Sequence, residues 1–357
     1  MGRHSKSQSK KDLPPLSKAD ILCDLNSDTY YSGAKFMSYN VGNLISLGGR
    51  GIGKTTWYLG YAVNRYIKTK EQFVYFRRYK PEVKDFVTKD SMNGVIANCC
   101  YISDGTGGYD VIHGDERIGF ILPISSAKNY KSTKFDMVGT IIYDEAIIME
   151  TNTSHYITKE VESYLEFSST IQRTRTNVKS IILGNNLDLF NPYFRYFNVP
   201  MFESRYFNGD RGLFCEKMKP SAKLLELEKQ TPLYKLTKGT PYHLYHYDNE
   251  VLGTDNVSIM NKPKDAKILA RLKLDKNLLN LYTYNNREGR IFCEQRQRDY
   301  TDNITYVLLK NGEPNYYYSD LYKNKLKMFV RRLYCNDCVD FNNKESGAML
   351  KWVVNNI

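Results

Sequence analysis

Lys54 stands between a glycine-rich turn and two threonines; residues 46–59 read SLGGRGIGKTTWYL. From Gly48 to Thr55 the spacing is G-x-x-x-x-G-K-[ST], the pattern of a loop that wraps a phosphate chain. Glycines let the backbone curl so that successive N–H groups face one anion. A helix that starts directly after the loop adds the positive end of its dipole. Gly48, Gly49, Arg50, Gly51, Ile52, Gly53, Lys54, Thr55 and Thr56 are therefore the predicted nucleoside-triphosphate-binding residues. Lys54 is expected to reach the β- and γ-phosphates, and Thr55 to hold Mg²⁺.

Hydrolysis needs carboxylates beside such a loop, and residues 138–147, VGTIIYDEAI, provide two at the end of an apolar run. Asp144 is placed to order Mg²⁺. Glu145 is placed to orient and deprotonate an attacking water. Two adjacent carboxylates repel each other, and a bound cation with Lys54 offsets that repulsion. A kinase with a second substrate as acceptor has no need of a water-activating glutamate, so the pair points to hydrolysis.

Three further groups belong to the same chemistry. Asn185 ends the apolar run of SIILGN, where a polar side chain can sense the γ-phosphate. Arg173 and Arg175, in QRTRT, suit an arginine finger offered to a neighbour's nucleotide, worth roughly 10³–10⁵ in rate; a solvated basic face is the other reading. A finger given in trans requires an assembly of copies. Arg77 and Arg78, with Lys80, follow a strand in VYFRRYK and either approach the phosphates or face DNA. Lys80, Lys84, Lys128 and Lys131 are the candidate DNA contacts, and each phosphate they neutralise makes binding more salt-sensitive.

These residues need strands and helices to hold them. Apolar runs at 43–47, 72–76, 117–123, 139–143 and 180–183 alternate with helical patterns, an α/β layout. Residues 109–124 read as a hairpin around Gly114-Asp115. The reading divides the chain into a mobile basic tail (1–20), a P-loop domain (21–204), a connector or hinge (205–250) and a strand-rich C-terminal part (251–357). That last part carries KILARLKL, LLNLYTYN, GRIFCEQ and ITYVLL, followed by a helical stretch.

At 357 residues the chain is long enough for two domains. Its 51 Lys+Arg outnumber 39 Asp+Glu, a net charge of +12 that favours a polyanionic partner. Thirty tyrosines and 16 phenylalanines belong mainly to core and strands, with some free to stack on bases. Seven scattered cysteines fit a reducing cytoplasm better than a disulfide framework. Cys335 and Cys338 have zinc-like spacing but lack a convincing second pair. No apolar run approaches the length of a membrane span.

GGRGIGKT, EQFVYFRRYKPE, TIIYDE, QRTR and NPYF, in this order, resemble the genome-packaging ATPases of small short-tailed phages of the phi-twenty-nine type. The resemblance runs from about Met37 to the C-terminus, strongest up to Phe197. It implies a ring motor, pentameric and similar to the large terminases, which docks at the portal vertex of a prohead in the host cytoplasm and drives double-stranded DNA inward. It also implies an ASCE-type P-loop ATPase domain, a small linker and an RNase H-like C-terminal domain that has lost nuclease activity. Lys54 and Thr55 match the Walker A pair, Asp144 and Glu145 the Walker B pair, Arg173 the trans finger and Asn185 the coupling position. Some members need a packaging RNA. The basic N-terminus is longer than the family's, and QRTRT leaves the choice between Arg173 and Arg175 open.

Two other functions compete. A terminase-like nuclease needs an acid cluster for two metals; KILARLKL contains no acid, and Asp275, Glu294 and Asp299 form a thin set. A P-loop scaffold that binds nucleic acid without turnover has no use for Glu145.

Overall fold

Parallel strands covered on both faces read as continuous apolar runs, and the runs between residues 43 and 184 do so. The computed structural model describes residues 13–131, 133–148, 155–185, 191–197, 199, 204–209, 212–240, 243, 247, 258–274, 277–285, 289–296, 305–307, 330, 332–334 and 338–356. The chain forms two compact units, Met1–Leu187 with Asn191–Glu250, and Asp188–Phe190 with Val251–Ile357.

In the first unit the order is α1 (Ala34–Ser38), β1 (Asn43–Gly48), α2 (Lys54–Thr69), β2 (Gln72–Arg77), α3 (Lys80–Thr88), β3 (Cys99–Ser103), β4 (Tyr109–His113) and β5 (Glu116–Pro123). Next come β6 (Val138–Ile147), α4 (Glu160–Gln172), β7 (Lys179–Gly184), α5 (Pro192–Phe197), β8 (Tyr206–Asn208), β9 (Leu213–Met218), α6 (Ala222–Lys229) and α7 (Pro232–Thr237). The strands form one sheet in the order β3-β4-β5-β2-β6-β7-β1-β9-β8. From β5 to β9 all neighbours are parallel. Antiparallel strands close both edges.

Alternation along the strands divides the core between the two faces. Phe73 and Tyr75 of β2, with Ile142 of β6, pack with Trp57, Tyr58 and Leu59 of α2. Val74, Phe76, Ile141 and Tyr143 pack on the other face with Val161, Tyr164 and Phe167 of α4. The β7 strand lies between β1 and β6. The ends of these three strands therefore bring the glycine loop, Asn185 and Asp144 to one edge, where ligands of open α/β sheets bind.

The structure departs from the sequence reading at both ends of this unit. Residues 1–12 lie outside the described residues, but Leu16, assigned to the mobile tail, is buried in the α2-side core. The connector was expected from residue 205. Instead β9 pairs in parallel with the whole of β1, and β8 pairs with β9. Leu213, Phe214, Cys215 and Met218 are buried there. Turn-rich flanks hid this short apolar run. Ile124–Tyr130, which follows β5, is largely 3₁₀-helical.

The second unit has β10 (Ser258–Ile259), β11 (Lys267–Leu274), β12 (Asn277–Thr283), β13 (Ile291–Arg296), β14 (Thr305–Val307), β15 (Val339–Phe341) and α8 (Lys344–Asn356). Its sheet runs β10-β15-β13-β12-β11-β14. β11, β12 and β13 form an antiparallel meander, β14 is parallel to β11, and β15 is parallel to β13. Met349, Leu350, Val353 and Val354, one stripe of α8, join Leu279, Leu281, Ile291 and Cys293 in its core. Most of the helical stretch expected before residue 335 lies outside the described residues.

Candidate active site

The glycine loop joins β1 to α2 through two left-handed residues, Gly51 (φ 78°) and Gly53 (φ 94°). A side chain at either would be strained by its backbone, and a Cβ at Gly53 would also lie 3.2 Å from Tyr30. The loop is braced from outside. The Tyr31 N–H donates to the Ile52 carbonyl at 2.8 Å, and the Trp57 indole donates to Leu25 O at 2.9 Å.

Lys54 is buried and donates from Nζ to the carbonyls of Gly48 (2.8 Å) and Gly49 (2.6 Å) and to Asn185 Oδ1 (3.3 Å). Burial pushes its pKa down to about 8, against the opposing pull of Asp144 and Glu145. The Thr55 hydroxyl donates to Asp144 Oδ2 at 2.9 Å. A cavity of about 270 Å³ opens here, lined by Arg50–Thr56, Asp144, Glu145, Gly184 and Asn185. Thus Arg50, Gly51, Ile52, Gly53, Lys54, Thr55, Thr56, Asp144, Glu145 and Asn185 share one site. Gly48 and Gly49 hold Lys54 by their carbonyls.

Asp144 and Glu145 lie within β6, whose pairing with β7 is irregular between Tyr143 and Ile147. A regular strand turns adjacent side chains to opposite faces. Glu145 has φ 51° and breaks that alternation. Both carboxylates consequently meet Arg77, at 3.4 Å from Asp144 and 2.6 Å from Glu145. Tyr75, two residues earlier on the same face of β2, donates to Asp144 Oδ2 at 2.7 Å. Burial, followed by the Asp144 charge, raises the Tyr75 phenol far above its ordinary range, so it remains a donor. Sequence reasoning missed Tyr75, although its i, i+2 spacing from Arg77 was a usable signal.

Residues 25–351 match the family described as podovirus DNA encapsidation protein (Gp16). The chain belongs to this family. It is 28% identical over 324 residues to the DNA packaging protein of Bacillus phage PZA, covering 90% of this chain and 95% of that protein. The DNA packaging protein of Bacillus phage B103 is 32% identical over 223 residues, 62% of this chain and 68% of that protein. A chain of the bacteriophage Phi-29 viral genome packaging motor assembly superposes with a TM-score of 0.64 at 25% identity. That match covers 92% of this chain and 99% of the other.

Other residues singled out in the sequence separate on this family fold. Arg78 follows Arg77 and so turns to the opposite face of the sheet. It is 3% exposed and bound to Glu160 at 2.7 Å, and it does not line the cavity. The expected phosphate contact is thus corrected to a buried ion pair. Arg173 follows the last residue of α4, has φ 49°, and leaves its side chain exposed apart from an ion pair with Asp136 at 3.3 Å. Arg175 instead donates to the carbonyls of Asp136 (2.8 Å), Val138 (2.7 Å), Phe135 (3.0 Å) and Ile171. Lys80 and Lys84 are exposed on α3, and Lys128 and Lys131 are exposed at and after the 3₁₀ segment. Lys131 lies 3.6 Å from Glu166. Among the described residues no group of three His, Cys, Asp or Glu could hold a metal, and Cys335 lies outside them.

Proposed function

We propose that this chain is the ATP-hydrolysing subunit of a ring motor that drives double-stranded DNA into a viral prohead. The observation that carries this reading is the 2.9 Å contact between Thr55 and Asp144, with Lys54 and Glu145 lining the same cavity. A hydroxyl and a carboxylate are oxygen donors suited to Mg²⁺. Lys54 is a buried cation whose hydrogen bonds go to carbonyl and amide oxygens, a charge suited to a triphosphate. When bound, ATP supplies the phosphoanhydride to be broken, and Mg²⁺ neutralises charge on its phosphate oxygens.

The protein's own groups then have distinct tasks. Loop N–H groups and the α2 N-terminus hold the phosphates. Asp144, fixed by Thr55, Tyr75 and Arg77, keeps its orientation while charge shifts beside it. The Glu145 carboxylate parts from Arg77 and takes a proton from water. Asn185, bonded to Lys54, reports the state of the γ-phosphate to β7.

Arg173 is the finger offered to a neighbouring subunit. Its exposure supports this role, and the four carbonyls around Arg175 give that residue a structural task instead. A pentameric ring, docking at the portal and any packaging RNA rest on the family. Lys80, Lys84, Lys128 and Lys131, all exposed, are the proposed DNA contacts. Residues 251–357 are read as RNase H-like without nuclease activity. The meander β11–β12–β13 with β14 parallel to β11 supports that reading. Glu294 is occupied by Arg296 at 3.0 Å and Tyr282 at 3.0 Å; Asp275 and Asp299 lie outside the described residues.

The test is steady-state ATP hydrolysis across protein concentration, with and without double-stranded DNA. The motor reading expects turnover to rise steeply with both, Arg173→Ala to abolish it, and mixing Arg173→Ala with Glu145→Gln subunits to restore part. Turnover that is indifferent to concentration, DNA and Arg173 overturns it.

A further inference from the structure

The irregular stretch of β6 leaves the backbone around Glu145 without its usual ladder partners. Pairing with β2 ends at Tyr143, and pairing with β7 resumes at Ile147. The carbonyls of Glu145 and Ala146 are satisfied by one side chain. Arg78 donates to Glu145 O at 3.2 Å and to Ala146 O at 2.8 Å. The same guanidinium donates to both oxygens of Glu160, at 2.7 and 3.1 Å. Glu160 is itself fixed, accepting from Tyr143 OH (2.7 Å), Tyr193 OH (2.8 Å) and the Ile157 N–H (2.9 Å).

A buried ion pair contributes little net stability when compared with apolar residues of the same shape. The location of this one is informative. It lies behind the only described residue of β6 with a left-handed backbone, and that residue is the proposed general base. Such a conformation persists only when its surroundings over-determine it. The planar fork of Arg78 reaches two successive carbonyls and a carboxylate together, which a lysine ammonium cannot do with the same geometry.

We propose that Arg78, clamped by Glu160, is a positioning residue that fixes the left-handed backbone of Glu145 and thereby aims its carboxylate into the nucleotide cavity. The inference rests on the ATPase reading above. Neither Arg78 nor Glu160 lines the cavity, so both act through Glu145.

The test uses Arg78→Lys, which keeps the charge facing Glu160 but loses the fork. Full-length wild type and variant are compared for ATP turnover, for binding of a fluorescent ATP analogue and for melting temperature. The expected result is a kcat lower by about 10- to 100-fold, the order that follows from misplacing one catalytic group by about an ångström. KM and analogue affinity should stay within about twofold. Wild-type kcat in Arg78→Lys overturns the proposal, as does a loss that falls equally on nucleotide binding. If Arg78→Lys fails to fold, the paired variant Arg78→Met/Glu160→Gln removes the buried charges together and is read by the same criteria. Absence of turnover in the wild type would instead count against the ATPase reading, so the two failures are distinguishable.

Discussion

The Thr55 hydroxyl donates to Asp144 Oδ2 at 2.9 Å, joining residues 89 positions apart in the sequence. The contact unites the start of α2 with the irregular part of β6. Removing the hydroxyl in Thr55→Ala should lower kcat/KM for ATP about a hundredfold, the order lost with one group of a preorganised polar site. Thr55→Ser should recover most of it. Kinetics at several Mg²⁺ concentrations check this, and the alanine defect should shrink as Mg²⁺ rises.

Glu145→Gln keeps the size of the side chain and removes the proton acceptor. Turnover should fall about 10²- to 10⁴-fold, with nucleotide affinity retained. Because the amide can still face Arg77, the melting temperature should change little. Single-turnover hydrolysis, alongside equilibrium binding of an ATP analogue, separates the two effects.

Lys54 gives a pH prediction. Burial lowers its pKa from 10.5 to about 8, so between those values the folded protein holds fewer protons than the unfolded chain. Stability from this group therefore rises with pH across that window and is lost as pH falls through about 8. A triphosphate favours the charged amine. ATP binding should thus take up close to one proton at pH 9 and almost none at pH 7, and affinity should weaken by up to about tenfold per pH unit above 8. Calorimetry in buffers of different ionisation heat measures the uptake directly.

Arg173 and Arg175 should respond in opposite ways. Arg173→Ala removes an exposed side chain, so it should leave the melting temperature within about a degree while removing assembly-dependent turnover. Arg175→Ala strips the donor from four carbonyls and should destabilise the fold by about 1–3 kcal/mol. Thermal melts of the two variants, run beside the subunit-mixing assay, decide between them.

Much of the site was legible because its signals are local. A glycine turn between a strand and a helix fixes the backbone of Gly48–Thr56, and an apolar run ending in Asp144-Glu145 or Asn185 fixes a strand end. The division of neighbouring basic residues was less legible. Arg77 and Arg78 are adjacent in the sequence, but strand alternation sends one to the carboxylates and the other to Glu160, which lies 82 residues away. Nor did the sequence show that residues 213–218 extend the sheet beside β1, because their pairing partner is distant and their flanks read as turns.

By itself, the sequence determined the glycine loop before α2, the two carboxylates, the strand end at Asn185 and the alternating α/β order, all set by residue type and short-range spacing. Only the tertiary structure decided which arginine serves which purpose. It also turned Glu145 against its strand's alternation and gave Asp144 the partners Thr55 and Tyr75. Those outcomes depend on which strands become neighbours and in what register, and registry between distant segments is fixed by packing of the whole core.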